Sequence, residues 1–411
     1  MPNPLLLKKL AKLAVKVGAN VQSGQTVVLR ANTESRELAR EIVRAAYEVG
    51  ARKVIIDWSD EYVSKYAFEH QDDETLKEVP DYIVNKNQYY VDQNACFISI
   101  TSPMPGLNKD IDSKKVQMAG IASQQKLGFV REYTMGNKGQ WTIVAAANKV
   151  WAAKVFPDLP EDEGVEALWD AIFAASRVTL DNDPIEDWKQ HNKTLKAHST
   201  LLNDYSFKQL HFKNSLGTDL IVGLVENHIW AAGGEVGANG VYFNPNIPTE
   251  EAFTMPHKFM TQGKVVATKP LNYNGKLIEN FSLVFDKGKV VSYEAEKEVE
   301  ALESIINFDE NAGYIGEVAL ISHDSPISNT NILFYNTLFD ENASCHLALG
   351  RAYPMNIKDG IGADVKDLEP KGYNNSMTHV DFMFGSSDME ITGLTQDGKE
   401  VKVFVKGNFV I

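Results

Sequence analysis

The sequence predicts an α/β N-terminal half built on a parallel sheet, followed by an α+β half with largely antiparallel strands. Three observations carry this. Up to residue 204, short apolar strands alternate with helix-length segments, the pattern of a sheet covered on both faces. From residue 205 the texture changes to short strands broken by Gly and Asn turns. The chain of 411 residues also exceeds a comfortable single core, so two domains, 1–204 and 205–411, are expected.

Residues 4–17 place Leu5, Leu6, Leu10, Leu13 and Ala14 at helical spacing with lysines between them, which predicts an amphipathic helix. A buried strand at 26–31 leads to a helix at 34–49, closed by Gly50, and a second strand at 53–58. Less regular helical segments cover 62–68 and 74–88. A third strand at 95–101, a helix at 110–125, a fourth strand at 141–146 and a helix at 147–155 complete a Rossmann- or flavodoxin-like alternation. Such sheets often bind nucleotides. Here the turn after Ala31 reads Asn-Thr-Glu-Ser-Arg and the loop after Thr101 reads Ser-Pro-Met-Pro-Gly. Neither has the glycines that close approach to a phosphate requires, which argues against a dinucleotide site.

Helices at 162–175 and 184–202 connect to the second half. There, strands are expected at 207–213, 219–224, 263–268, 282–285 and 290–294, with a helix at 294–306. The glycine-rich stretch 232–240 lacks the Lys-Ser/Thr of a phosphate loop and reads as a flexible loop, a candidate lid.

Composition excludes several classes of function. With 44% hydrophobic and 23% charged residues the chain is ordinary for a globular protein. A net charge of −14 argues against nucleic acid or an anionic membrane as the main partner. No run approaches the roughly 18 apolar residues of a membrane span. Lysines inside the first apolar pattern are unlike a secretory signal. Two cysteines, Cys96 and Cys345, make no disulfide framework and fit a reducing compartment, so a cytoplasmic location is expected. Of nine histidines, only His70 precedes residue 180. Histidine-dependent chemistry, if present, belongs to the second half.

Four places there carry metal-type residues. Pro248-Thr-Glu-Glu-Ala-Phe-Thr-Met-Pro256 holds Glu250 and Glu251, and consecutive residues of an extended chain face opposite ways, so one of the two faces a site. Gly316-Glu317-Val-Ala-Leu is an apolar strand with a carboxylate at its start, costly to bury without a cation. Residues 340–353 are expected to form a helix bearing Glu341, His346 and Tyr353, the last two sharing a face two turns apart. Thr378-His379-Val-Asp381 is a strand with His and Asp on one side. Glu251, Glu317, Glu341 and Asp381 with His346 and His379 sum to a formal −4, the charge two divalent cations balance. Mixed oxygen and nitrogen donors suit Zn²⁺, Co²⁺ or Mn²⁺ better than Ca²⁺. Cys345 reads as core packing rather than a nucleophile.

These blocks, together with Phe-Asp-Glu-Asn-Ala-Ser-Cys-His-Leu-Ala-Leu-Gly and Thr-His-Val-Asp-Phe-Met-Phe-Gly, resemble the signature blocks of the aminopeptidase T, aminopeptidase S and PepS metallopeptidases in order and spacing. The resemblance spans essentially the whole chain. It implies a cytoplasmic, usually homodimeric aminopeptidase with two divalent metal ions, acting on peptides with a free N-terminus. By matched position it implies Glu251, Glu317, Glu341, His346, His379 and Asp381 as ligands, and it favours Glu251 over Glu250. It also implies that Tyr353 assists catalysis. A water bridging the metals, with Glu317 taking its proton and Tyr353 donating to the oxyanion, is the expected mechanism. A dipeptidase or other dinuclear hydrolase, or a small-molecule binding protein with a structural acidic cluster, remains the alternative.

Overall fold

The structure, a computed structural model, describes residues 2–273 and 276–411. The chain divides into two compact units, Met1–Gln190 with Gly234–Pro248, and His191–Gly233 with Thr249–Ile411.

Unit 1 opens with α1 (Pro4–Leu13), which begins as its sequence dictates: Pro4 takes the first helical position and Asn3 accepts from the Leu5 amide at 2.9 Å. Strands β1 (Thr26–Asn32), β2 (Lys53–Ser59), β3 (Cys96–Thr101) and β4 (Trp141–Ala145) form a parallel sheet in the order β2-β1-β3-β4. Helix α2 (Arg36–Glu48) crosses from β1 to β2, burying Leu38, Ala39, Ile42, Ala45 and Ala46. The crossover from β2 to β3 runs through α3 (Glu61–His70), α4 (Asp73–Lys77) and α5 (Asp81–Asp92). From β3 to β4 it runs through α6 (Ser113–Met135), longer than the sequence suggested. Helices α7 (Lys149–Val155) and α8 (Glu161–Ala175) pack together, and α9 (Pro184–Tyr205) carries the chain across the unit boundary.

Unit 2 begins with the hairpin β5 (Gln209–Lys213) and β6 (Asp219–Leu224), then the short β7 (Ala231–Ala232). The glycine-rich stretch that follows is not an irregular loop. It forms a ribbon of β8 (Glu235–Val236) and β9 (Tyr242–Phe243) that belongs to unit 1, whose β4 holds the following chain through Ile143 N to Pro245 O at 2.8 Å. Back in unit 2 come β10 (Ala252–Thr254), β11 (Pro256–Val266), β12 (Leu271–Tyr273), β13 (Lys276–Asp286), β14 (Lys289–Lys297) and α10 (Val299–Ile306). The chain ends with β15 (Ile315–Leu320), α11 (Thr337–Asp340), β16 (His346–Gly350), α12 (Val365–Leu368), β17 (His379–Met383), β18 (Glu390–Leu394), β19 (Glu400–Val405) and β20 (Asn408–Phe409).

Two antiparallel sheets result. One runs β12-β13-β11-β6-β5-β18-β19-β20, with β14 beside β13; the other runs β17-β16-β15-β10-β7. Their facing sides share a core that includes Phe212, Leu220, Leu283, Val318, Leu347 and Phe382. In the second sheet the two-residue period sorts side chains from Glu317 onward, after a register shift in β15 between Ile315 and Glu317 that turns Glu317 away from the core side taken by Ile315. Val318, Leu320, Leu347, Leu349, Val380 and Phe382 enter the core, leaving Glu317, His346, Ala348, His379 and Asp381 on the other face.

The helix expected over residues 340–353 is not there. Helix α11 ends at Asp340, a single 3₁₀ turn spans Glu341–Ala343, and β16 follows. Ala and Leu favour helix in isolation, but His-Leu-Ala-Leu-Gly is the middle strand of three and buried on both faces. A short apolar run of this kind is ambiguous from periodicity alone. Asp340 caps nothing downstream. It accepts instead from the Phe334 and Asn336 amides at 2.7 and 2.9 Å. Likewise the helix expected at 294–306 begins only at Val299, because β14 continues to Lys297.

Gly350 ends β16 with φ +103°, and a Cβ there would lie 2.3 Å from the Thr378 carbonyl oxygen. Gly350→Val is therefore expected to cost at least roughly 1–3 kcal/mol from backbone strain alone. Chemical denaturation with a midpoint equal to wild type would contradict this reading of the strand end.

Candidate metal centre

The sheet of unit 2 builds the centre by register. Ala348 of β16 lies opposite Glu317 on one side and Asp381 on the other, so both carboxylates flank a methyl group and share a face. His346 is two residues before Ala348, and His379 two before Asp381, hence on that same face. Glu251 precedes β10 by one residue. Phe253, two residues on, pairs with Ala319, which pairs with His346, so Glu251 joins them.

The distances follow. The Glu317 carboxylate spans both imidazoles: Oε1 lies 3.3 Å from His346 Nε2 and Oε2 lies 3.7 Å from His379 Nε2. His346 Nε2 is also 3.5 Å from Glu251 Oε2, and His379 Nε2 is 3.3 Å from Asp381 Oδ1. One ligand atom each from Glu251, Glu317 and His346 falls within a 4.8 Å set. Glu341 enters from the 3₁₀ turn. It shares a small cavity of about 40 Å³ with Asp381, and the charges of Asp381 and Glu251 act on it. All six residues named from the sequence thus converge.

Both imidazoles are oriented by backbone. His346 Nδ1 donates to Glu341 O at 2.8 Å and His379 Nδ1 to Arg351 O at 2.7 Å. Each Nε2 is left to face the carboxylates, the arrangement of a metal-ligating histidine fixed by its second nitrogen. Tyr353 lies beyond β16, yet its ring packs on His379 with centroids 4.8 Å apart and edge-on to Phe253 at 6.4 Å.

Electrostatics makes this arrangement costly for bare protein. Burial, reinforced by neighbouring carboxylates, raises Glu251 to about 7 and Glu341 well above the usual range. Burial alone would depress the imidazoles. The Glu317 hydrogen bond and the surrounding carboxylates outweigh it and lift His346 to about 10; Asp381 and Glu317 do the same for His379, to about 9. Asp381 is held low: its burial is outweighed by His379 and His346. Among the described residues no lysine or arginine is ion-paired with any of the six. Four carboxylates and two inward-facing imidazole nitrogens without such a partner are the donor set that transition-metal ions fit once the imidazoles are deprotonated.

Two supporting residues were not visible in the sequence. Asn342 is fully buried, accepts from the Glu250 amide at 2.8 Å and donates to Leu338 O, which ties the Glu250-Glu251 segment to the 3₁₀ turn. His191 Nε2 lies 2.8 Å from Thr249 O and 3.7 Å from the Glu250 carboxylate, which turns Glu250 toward α9. Both act through tertiary contacts, and neither has a local pattern that could reveal it. Cys345 is buried, its thiol exchanges hydrogen bonds with the Ile321 backbone, and burial pushes it to about 12, so it stays protonated.

A family model described as thermophilic metalloprotease (M29) matches residues 5–409. The chain belongs to this metalloprotease family. It is thereby a metal-dependent hydrolase of peptides. It is 45% identical over 403 residues to Aminopeptidase AmpS of Bacillus subtilis (strain 168), covering 98% of each chain. It is 44% identical to Aminopeptidase 2 of Geobacillus stearothermophilus, covering 98% of this chain and 97% of that one. The fold matches wild-type AmpT from Thermus thermophilus with a TM-score of 0.93 at 36% identity over 99% of both chains, in agreement with the α/β-plus-α+β class read from the sequence. Among the described residues no helix of this metalloprotease is long and apolar enough to cross a membrane.

A pH dependence follows. Near neutrality the metal-free centre holds protons on His346 and His379, and in part on Glu251. Their folded values lie above the ordinary ones, so the metal-free protein loses this stabilisation as pH rises. Metal ligation needs the same protons gone and is favoured by rising pH. The difference in Tm between metal-loaded and metal-free protein should therefore widen between about pH 5 and pH 9. A difference that stays flat or shrinks would contradict the assignment.

Proposed function

We propose that the protein is an aminopeptidase whose centre holds two divalent cations, with Glu251, Glu317, Glu341, His346, His379 and Asp381 as the ligands. The observation that carries this is the Glu317 carboxylate, each of whose oxygens is nearest a different imidazole. One carboxylate serving two histidines, with a further carboxylate beside each, is a donor set for a pair of ions rather than one. Zn²⁺, Co²⁺ and Mn²⁺ are the candidates, on ligand chemistry. When bound, such a pair supplies a bridging water acidic enough to act as hydroxide at neutral pH and a Lewis acid for the scissile carbonyl.

The chain's own residues supply the rest. Glu317 lies between the two histidines and is positioned to accept the proton that the nucleophilic water gives up. Tyr353, packed on His379, is the group assigned to donate to the oxyanion. The relatives are named aminopeptidases, so the substrate read for this centre is a peptide with a free α-amine rather than a blocked one. Glu250, turned toward His191, is left out of the centre. The catalytic unit is then 205–411 less the ribbon at 234–248, together with the part of α9 from His191 on. Two free, buried cysteines suit a cytoplasmic enzyme, and the family resemblance adds a homodimer.

Hydrolysis of leucine p-nitroanilide should vanish in excess chelator and return with Co²⁺ or Zn²⁺, while N-acetyl-leucine p-nitroanilide should not be cleaved in either state. Glu317→Gln is expected to lower kcat by roughly 10²–10⁴-fold, the range for a lost general base, with no rescue by added metal. Full activity after long chelation would end the metal reading. Cleavage of the blocked substrate at a comparable rate would end the aminopeptidase reading.

A further inference from the structure

The parallel sheet of unit 1 changes character halfway along its strands. On the face covered by α5 and α6, the first row is apolar: Ile55, Val28, Phe97 and Trp141 lie side by side in register. Val28 and Phe97 join Tyr90, Val130 and Tyr133 in a small core. Two residues further on, the next row of the same face is Asp57, Arg30 and Ser99. The row after that holds Ser59, Asn32 and Thr101. A parallel sheet buried on both faces normally carries near-continuous apolar strands. Six polar positions at the carboxyl ends of three adjacent strands depart from that rule together.

All six line one cleft of about 870 Å³, within the range of small-molecule sites. Its opposite wall comes mainly from α6, with the apolar Leu127, Val130 and Met135 beside Arg131 and Thr134, and Met104 and Trp58 also line it. The order β2-β1-β3-β4 puts β2 and β3 on opposite sides of β1. The cleft therefore sits outside the carboxyl ends of the strands where the winding reverses, the place where open α/β sheets bind ligands. It lies wholly within unit 1 and shares no residue with the metal centre.

The charge pattern selects the ligand. Asp57, next to Arg30 in register, is already engaged by Lys86 at 3.1 Å and by the Tyr90 hydroxyl at 2.9 Å. The Arg30 guanidinium rests 4.8 Å over the Phe97 ring. Among the described residues it makes one hydrogen bond, to Asn87 Oδ1 at 3.3 Å, of the five its N–H groups can donate. A half-buried guanidinium with unused donors is a fork for a planar anion. Two arginines, Arg30 and Arg131, and two carboxylates, Asp57 and Glu61, line the cleft, so a dianion would meet as much negative as positive charge. Asp57 and Glu61 on the same rim, with no glycine-rich turn after β1, disfavour a dianionic phosphate.

We propose that this cleft is a second binding site, which takes a small monoanionic carboxylate of the amino-acid or short-peptide class. The carboxylate sits on Arg30, Ser59 and Ser99 supply hydroxyls, and the apolar side chain lies against Val130 and Leu127. Every turnover of a peptidase releases molecules of this class, so the site would let the enzyme sense its own products.

The probe is N-acetyl-phenylalanine, whose blocked amine makes it a poor ligand for an aminopeptidase centre. Isothermal titration calorimetry with the full-length, metal-loaded protein should show saturable binding. N-acetyl-phenylalaninamide, identical but for the lost charge, should bind at least about tenfold more weakly, the ratio that corresponds to one charged hydrogen bond. Arg30→Gln should weaken N-acetyl-phenylalanine by the same factor, and Arg30→Lys by less. If Arg30→Gln fails to fold by circular dichroism, Thr134→Trp, which fills the cleft from α6 while leaving Arg30 in place, should abolish binding instead. No saturable binding up to about 10 mM, equal binding of the amide, wild-type affinity in Thr134→Trp, or displacement by equimolar inorganic phosphate would each overturn the proposal.

Discussion

Everything distinctive about unit 2 depends on one electrostatic constraint: four carboxylates, Glu251 and Glu317 buried and Glu341 and Asp381 half-buried, are gathered around two imidazoles with no lysine or arginine paired to any of them among the described residues. Charges of like sign in a desolvated place cannot all persist unaided. Bare protein answers by holding protons on His346, His379 and Glu251. A metalloprotease can answer with metal. Both Nδ1 atoms are occupied by carbonyls and both Nε2 atoms face inward, the orientation that a metal-ligating histidine takes.

The fold meets this constraint with simple means. Three neighbouring antiparallel strands alternate between core and centre, and a register shift between Ile315 and Glu317 in β15 sets Glu317 on the side of the centre. Ala348 leaves room between Glu317 and Asp381, and Gly350 takes a backbone angle that other residues rarely adopt. Asn342 then fixes the entry of Glu251 by holding the preceding amide. The precision of the centre thus rests on strands, and only Glu251 and Glu341 come from segments beside them.

Much of this was legible in the sequence. The strand alternation of unit 1 has a regular period, and the His-x-Asp spacing of His379 and Asp381 puts both on one face wherever the strand lies. What misled was the stretch after Asp340. Its Ala- and Leu-rich composition favours helix, and only the flanking strands β15 and β17 make it a strand. Tyr353 reaches the centre all the same, through its ring on His379 rather than along a helix face. The polar rows of unit 1 were readable one residue at a time as Arg30, Asp57 and Ser99, but their alignment needs the register, which no single strand contains. His191 and Asn342 were invisible for the same reason, since each matters only for a contact far away in sequence.

The most direct test of the account is the metal content of the active protein. Gel-filtered enzyme, loaded with Zn²⁺ or Co²⁺ and measured by elemental analysis against chain concentration, should hold close to two equivalents per chain, and Glu317→Ala should lose more than one of them. A wild-type stoichiometry of one or less in fully active protein would contradict the central claim that Glu317 links two ions.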